Sequence, residues 1–143
     1  MKRVRKILDD AAIHPDAIVT YRASNMVLTA HSNTSYISKT NTRSRTGGHF
    51  YMSDNSPDPL NNGAVIAITQ IVKAIMSSVT EAEIGALYIN FREAIPARHA
   101  LEDMGHKHPT TPMQINNTTA LGVVTNTIQT KWMEGMDMRL FWL

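Results

Sequence analysis

The sequence predicts a mixed α/β domain in which one sheet is covered by helices. Its 143 residues suffice for one hydrophobic core and are too few for two comfortable domains. A hydrophobic share of 43% with 18% charged residues is typical of a globular chain. β-prone runs dominate the first half, whereas strand and helix patterns alternate in the second half. Antiparallel strands followed by strand-helix alternation indicate a mixed sheet with helices packed on it.

The first third of the chain predicts a helix and then a hairpin. Apolar residues recur at helical spacing and predict one buried helix face: Val4, Ile7, Leu8 and Ala11. The segment His14-Pro15-Asp16 ends this helix. The runs AIVTY (17–21) and MVLTAH (26–31) then predict two successive strands, which we expect to pair as a hairpin.

The middle of the chain alternates loops with strands. Residues 38–48 are polar and basic, which predicts a loop that closes with a bend at its two glycines. GHFYMS (48–53) predicts a third strand, and the stretch rich in Asn, Pro and Asp that follows predicts another loop. The β-branched run at residues 64–69 predicts a buried strand.

A long helix dominates the second half. Thr80 as N-cap with Glu83 three residues later fits a capping box, in which each side chain satisfies the other's backbone N–H. Pro96 is expected to break or kink the helix, and Gly105 to end it. MQI (113–115) then predicts a short strand, TTALGVV a helix directly after it, and MDMRLFWL a final helical segment.

Composition excludes several classes of site. With no cysteine, neither a disulfide framework nor a zinc-thiolate site is possible, which fits an intracellular protein. No apolar run reaches the roughly 18 residues of a membrane span, and the basic N-terminus lacks the apolar segment of a secretory signal. His106 and His108, in a loop flanked by proline, are typical of a surface more than of a metal site.

Basic residues are clustered although the net charge is only +2. One cluster opens the chain, and Lys39, Arg43 and Arg45 fall in the polar stretch between two predicted strands. Such clusters are either solvated surface or contacts to the phosphates of a nucleic acid.

Four polar residues lie at the ends of successive predicted elements. Asn33 lies just beyond a strand, Glu83 in the first turn of a helix, Asn116 at the end of a strand, and Asp137 at the start of the last helix. With Asp in place of both Asn residues, the order would be strand-Asp, helix-Glu, strand-Asp, helix-Asp. This constellation is the strongest candidate for a functional site.

That order resembles the ribonuclease H superfamily. The amino-acid sequence around these four residues resembles the ribonuclease H domain of copia-type (Pseudoviridae) retrotransposon polyproteins. The segments that carry the resemblance cover nearly the whole chain in family order: HPDAIVTYRASNMVLTAHSNTSYIS, RSRTGGHFYMS, MSSVTEAEIGALY, MQINNTTALGVV and MDMRLFWL. The resemblance implies a ribonuclease H-like fold with a mixed five-stranded sheet flanked by helices. It further implies one domain over 1–143, with a helix and linker at 1–16 and a core at 17–143 that is truncated at its C-terminus.

The resemblance also implies a reaction and partners. In this family four carboxylates hold two Mg²⁺ (or Mn²⁺) ions that cut the RNA strand of an RNA–DNA hybrid. Asn33, Glu83, Asn116 and Asp137 occupy the four positions, both as catalytic residues and as metal ligands. The implied partners are the hybrid and the reverse transcriptase part of the polyprotein, with no membrane. The implied location is cytoplasmic, in a virus-like particle, and the oligomeric state is open.

Two of the four positions depart from the family pattern. Asn offers a neutral carbonyl oxygen where the family has a charged carboxylate, so we expect weak metal binding and impaired cleavage. Either the two Asn residues are engineered, or the copy has decayed. Asn25 and Thr34 favour decay, because they too stand where related sequences have Asp and Ala, at positions with no catalytic role. A non-catalytic domain that binds nucleic acid or another partner is the alternative function.

Overall fold

The computed structural model describes residues 2–38, 43–56 and 58–125. In chain order its elements are α1 (Lys2–Ile13), β1 (Val27–Ser35), β2 (Arg45–Ser53), β3 (Ala64–Ile71), α2 (Val79–Asp103), β4 (Met113–Ile115) and α3 (Thr118–Val124). The predicted final helix lies outside these residues. Within them, none of the helices has both the length and the apolar character needed to cross a membrane.

The four described strands form one mixed sheet in the order β3-β2-β1-β4. β1 pairs with β2, and β2 with β3, in antiparallel orientation. β4 adds to the other side of β1 in parallel orientation. The predicted mixed α/β class is therefore confirmed, and the described ranges contain four of the five expected strands.

The core lies between the sheet and α2, in two clusters of apolar side chains. One cluster packs the start of α2 against α3 and contains Val72, Met76, Ala82, Ile84, Ala120 and Val123. The other packs the second half of α2 on the sheet and contains Leu28, Ala30, Phe50, Ala94 and Leu101. α2 is thus anchored at both ends.

The predicted hairpin between residues 17–21 and 26–31 is wrong. Residues 17–26 form no strand, and the first hairpin joins β1 to β2. Met26 has a φ of +58°, a left-handed conformation that interrupts any extended run before β1. The earlier segment instead binds the chain before β3, because Gly63 N donates to Thr20 O at 3.0 Å and Tyr21 Oη donates to Ala64 O at 3.1 Å.

The predicted bend at the two glycines is also wrong, because Gly47 and Gly48 lie within β2. A Cβ on Gly48 would lie 2.4 Å from Asn90 Oδ1 and 2.9 Å from Phe50 Cε2. The second glycine therefore allows α2 to pack closely on the strand.

The predicted capping box begins two residues too late. Ser78 is the N-cap, since its Oγ accepts the N–H of Glu81 at 3.1 Å. Glu81 Oε2 in turn accepts the N–H and the hydroxyl of Ser77, both at 2.7 Å. Pro96 does not break the helix, which continues to Asp103. Gly105, with a φ of +88°, follows the helix end as predicted.

α1 forms at the predicted place, but its apolar stripe is not buried. Val4, Ile7 and Leu8 are each more than 60% exposed. Helical spacing correctly predicted the conformation of these residues, whereas burial depends on a packing partner that local spacing does not encode.

Candidate active site at the end of the sheet

Glu83 projects from the second turn of α2 toward the sheet. Its neighbours Ala82 and Ile84 are both fully buried and pack against α3, so the backbone around Glu83 is fixed. Glu83 itself is only 4% exposed. A carboxylate is rarely buried to this degree unless it is paired or binds a cation.

The environment of the Glu83 carboxylate disfavours its charged form. Burial raises the pKa of Glu83 above its ordinary value, and a hydrogen bond from the backbone of Thr34 acts in the opposite direction. Oε2 is buried and has no hydrogen-bond partner within the described residues. One carboxylate oxygen is therefore free to accept a proton or to contact a cation.

Asn33 lies on β1 next to Thr34, whose backbone hydrogen-bonds the Glu83 carboxylate. Its Oδ1 accepts the N–H of Thr34 at 2.8 Å, and the Thr34 backbone also acts on Glu83. Asn33 is exposed, and none of the hydrogen bonds among the described residues joins it directly to Glu83. Thr34 thus connects the two candidate ligands, whereas strand alternation turns the Asn33 side chain to the sheet face opposite that of Ser32, which contacts Asn90 of α2.

Asn116 is placed by the parallel pairing of β4 with β1. Ser32 of β1 pairs with Ile115 of β4. The residues that follow them, Asn33 and Asn116, therefore lie at neighbouring positions at the same end of the sheet. Asn117 then caps α3, since its Oδ1 accepts the N–H of Ala120 at 2.9 Å. The sharp turn into α3 leaves Asn116 exposed at the rim of the sheet.

Three of the four predicted site positions therefore converge at one end of the sheet, and Asp137 lies outside the described residues. Glu83 supplies one carboxylate, whereas Asn33 and Asn116 supply neutral amides. In the ranges 2–38, 43–56 and 58–125, His, Asp and Glu side chains form no group of three that could hold a metal ion. As a donor set for two Mg²⁺ ions, the described positions do not fit.

Basic side chains lie at the same end of the sheet. Arg45 pairs in register with Ser35 on one side and Ile71 on the other, and Arg43 is exposed just before it. Lys39 lies outside the described residues. Lys73, which the sequence pattern did not connect with the site, follows β3 and is exposed near Arg45. The antiparallel pairing of β2 and β3 is the signal that could have placed it.

The sequence pattern did not indicate that Asn90 belongs to the site. It lies seven residues after Glu83 on α2 and is fully buried. Its Nδ2 donates to Ser32 Oγ at 2.8 Å and to Gly47 O at 3.0 Å, so it links α2 to both β1 and β2 directly behind Asn33. Its sequence signal is a polar residue at i+7 from Glu83, on the same helix face.

Comparison with known proteins adds no identification. No protein-family model, curated protein or solved structure matches this chain. The function therefore has to be inferred from the residues of the site.

Proposed function

We propose that this chain is a ribonuclease H-like domain of copia-type retrotransposon origin, whose ancestral reaction is cleavage of the RNA strand of an RNA–DNA hybrid. Cleavage is impaired in this chain. The mixed sheet β3-β2-β1-β4 with α2 on one face supports the proposed fold. The convergence of Asn33, Glu83 and Asn116 at one sheet end supports the proposed site.

The buried carboxylate of Glu83 is the observation that carries this proposal. Glu83 is 4% exposed, and one of its carboxylate oxygens has no hydrogen-bond partner among the described residues. An apolar side chain at this position would remove the desolvation cost, so the retained carboxylate supports a function in charge or cation binding. A site that normally holds a divalent cation accounts for the retention of this group.

Two amides account for the impairment. Asn33 and Asn116 remove two negative charges from the sheet end at which Glu83 lies, and Asn33 Oδ1 already accepts one hydrogen bond from the Thr34 N–H. Mg²⁺ binds through charged oxygens and retains water tightly, so one carboxylate with two amides attracts it weakly. The described residues therefore support a domain that retains the positions of the site residues but has lost part of the negative charge that would bind metal.

The test is a cleavage assay on an RNA–DNA hybrid with Mg²⁺ or Mn²⁺. We expect no cleavage by the unmodified chain and measurable cleavage by the Asn33→Asp/Asn116→Asp double variant. A triple variant that adds Glu83→Gln is the matched control, and it should be inactive again. If the double variant is folded by circular dichroism and still does not cut, this site is not a ribonuclease H site. If the unmodified chain cuts as fast as the double variant, the proposed impairment is wrong.

Binding of nucleic acid without cleavage is the second candidate function. Arg43, Arg45 and Lys73 lie at the candidate site, and none of them forms an ion pair among the described residues. Within the described ranges the buried Nε of Arg45 has no hydrogen-bond partner, whereas Nη1 donates to Thr69 Oγ1 at 3.4 Å. Unpaired cations beside a sheet end are suited to phosphate oxygens.

Salt dependence of hybrid binding, measured without divalent metal, tests this second function. Affinity should fall linearly on a log-log scale, and Arg43→Gln/Arg45→Gln should reduce the slope by about 1 for each phosphate that is no longer neutralised. Lys107→Gln is the control, because Lys107 precedes β4 at the opposite end of the sheet. A slope that is unchanged in the double variant would assign binding to another surface.

A further inference from the structure

Two histidines face each other on the side of the sheet that is turned away from α2. His31 of β1 and His49 of β2 are direct cross-strand partners. Ser32, the next residue along β1, contacts Asn90 of α2, so strand alternation places His31 on the opposite face. The ring centroids of the two histidines are 6.5 Å apart.

Tyr51 forms one wall of this histidine pair. Its ring is fully buried and meets both imidazoles edge-on, with centroid distances of 5.7 Å to His31 and 5.2 Å to His49. Its hydroxyl donates to Gln114 Oε1 at 3.3 Å, and Gln114 is the register partner of His31 on β4. The two imidazoles therefore rest on an aromatic ring that cannot move freely.

A backbone carbonyl fixes the orientation of His49. Its Nε2 lies 3.0 Å from Asn62 O, and a carbonyl can only accept, so we assign the ring proton to Nε2. The neutral ring then carries its lone pair on Nδ1. The Asn62 side chain is itself held by bonds to Arg22 N at 2.8 Å, Arg22 O at 2.9 Å and Met52 O at 2.8 Å.

This arrangement has the form of a metal-binding histidine with its supporting partner. Histidines that bind metals commonly donate their other ring N–H to a backbone carbonyl or carboxylate, which fixes the tautomer and the ring direction. His31 has no side-chain hydrogen bond among the described residues, so its ring can turn without losing one. One imidazole is thus held in place, and the other can adjust to a shared ion.

We propose that His31 and His49 together bind one divalent transition-metal ion of the class that prefers imidazole, namely Ni²⁺, Cu²⁺ or Zn²⁺. A metal–nitrogen bond of about 2.1 Å places each ring centre about 3.2 Å from the ion, so two imidazoles on opposite sides of one ion have centres up to about 6.5 Å apart. The observed separation reaches this limit, and a small rotation of His31 brings the rings within it. Water completes the coordination, since the described residues form no group of three ionisable ligands.

The proposal is independent of the proposed nuclease function. It uses none of Asn33, Glu83 and Asn116, and the nitrogen ligands select a different class of ion from the hard Mg²⁺ that carboxylates prefer. The two sites can therefore be separated by the choice of metal. Excess Mg²⁺ occupies any oxygen site and leaves the imidazole pair available.

Titration calorimetry with NiCl₂ in the presence of excess MgCl₂ tests the proposal on the full chain. We expect one Ni²⁺ to bind, and His31→Asn and His49→Asn each to weaken this binding by more than about tenfold, the loss that removal of even a supporting partner causes. His106→Asn is the matched control, because His106 is exposed in the loop before β4 and should leave the affinity unchanged. Ni²⁺ binding that persists in both pair variants would overturn the proposal.

A second measurement does not depend on how the variants fold. Substoichiometric Cu²⁺ is added to the unmodified chain, and paramagnetic broadening of its NMR signals is recorded. The ring signals of His31, His49 and Tyr51 should broaden first. Broadening centred on His106 and His108 instead would assign the metal to that loop and contradict the proposal.

Discussion

Gly48 lies where α2 packs so closely on the sheet that a side chain would clash. A Cβ there would lie 2.4 Å from Asn90 Oδ1, and Asn90 cannot move aside without losing its bonds to Ser32 and Gly47. Gly48→Ala should therefore lower the free energy of unfolding by about 1–3 kcal/mol, the usual cost of overpacking a core. Urea denaturation measures the difference.

Gly47 offers the matched control for this substitution. A Cβ on Gly47 would meet its nearest atoms at 4.0 Å, which is ordinary contact. Gly47→Ala should be close to neutral or slightly stabilising, because alanine reduces the freedom of the unfolded chain. Equal destabilisation by both substitutions would show that strand conformation, and not contact with Asn90, decides the outcome.

Glu83 should make the stability of the fold depend on pH. Burial raises its pKa in the folded chain, so the folded state binds a proton more tightly than the unfolded state does. Below the unfolded pKa both states are protonated and the site costs nothing. As pH rises from the ordinary value of 4.5 toward the raised pKa, stability is lost, and above it the loss stays constant.

Comparison with Glu83→Gln isolates this effect. In metal-free buffer the unmodified chain should lose stability relative to the variant between acidic and neutral pH, by about 1.4 kcal/mol for each unit by which the pKa is raised. Glu93→Gln, at an exposed position on the same helix, is the matched control for the substitution itself. A difference between the Glu83 variant and the unmodified chain that is constant with pH would contradict the assignment.

At the scale of elements, the start of α2 depends on Ser78. Ser78→Ala removes the acceptor of the Glu81 N–H and should cost about 1 kcal/mol. Thr80→Ala is the informative control, since Thr80 is the N-cap that the sequence pattern favours and lies inside the helix in the structure. Urea denaturation of both variants decides between the two caps, and a larger loss for Thr80→Ala would restore the sequence-based assignment.

β3 is the element most prone to unwanted pairing. It is an edge of the described sheet, its eight residues AVIAITQI include no charge and no proline, and Val65 is 48% exposed. Unprotected edges of this kind pair with other chains. Val65→Lys should weaken self-association by about tenfold, or roughly 1.4 kcal/mol, as measured by sedimentation velocity over a range of concentrations.

Leu121→Lys is the control for this edge effect. Leu121 is also 48% exposed, but it lies on the helix α3 and not on a strand. If both lysines reduce association equally, general apolar exposure drives it. If only Val65→Lys does so, backbone pairing along β3 is responsible.

At the scale of the whole molecule, local sequence patterns predicted most helices and strands but could not decide between two sequence motifs that fit the same role. Ser78 with Glu81 and Thr80 with Glu83 both fit a capping box, and in the fold Ser78 is the cap and Glu81 bonds Ser77, whereas Glu83 is buried. Conformation was likewise predictable for α1, whereas its lack of burial was not. Such outcomes depend on contacts between distant segments, which periodicity does not encode.

Some features of the candidate site could likewise be predicted from the sequence, and others depend on the fold. The sequence placed Asn33, Glu83 and Asn116 near the ends of elements and showed their resemblance to a family, but Asn33 lies inside β1 and not beyond a strand as predicted. The parallel pairing of β1 with β4 is what makes Asn33 and Asn116 neighbours. Asn90 reaches Ser32 across 58 residues of chain, so its link to the site could come only from the folded structure.

Asn62 is a site at which deamidation would damage the fold. Asn62 precedes Gly63, and such an Asn-Gly pair favours succinimide formation whenever the segment opens, because in the closed fold the Gly63 N–H donates to Thr20 O. Hydrolysis to aspartate would replace Nδ2, which donates to Arg22 O and Met52 O, by an oxygen that can only accept. Two carbonyls would then face a negative charge. A slow, covalent change at one loop residue would thus loosen the segment before β1 and the support of His49 together.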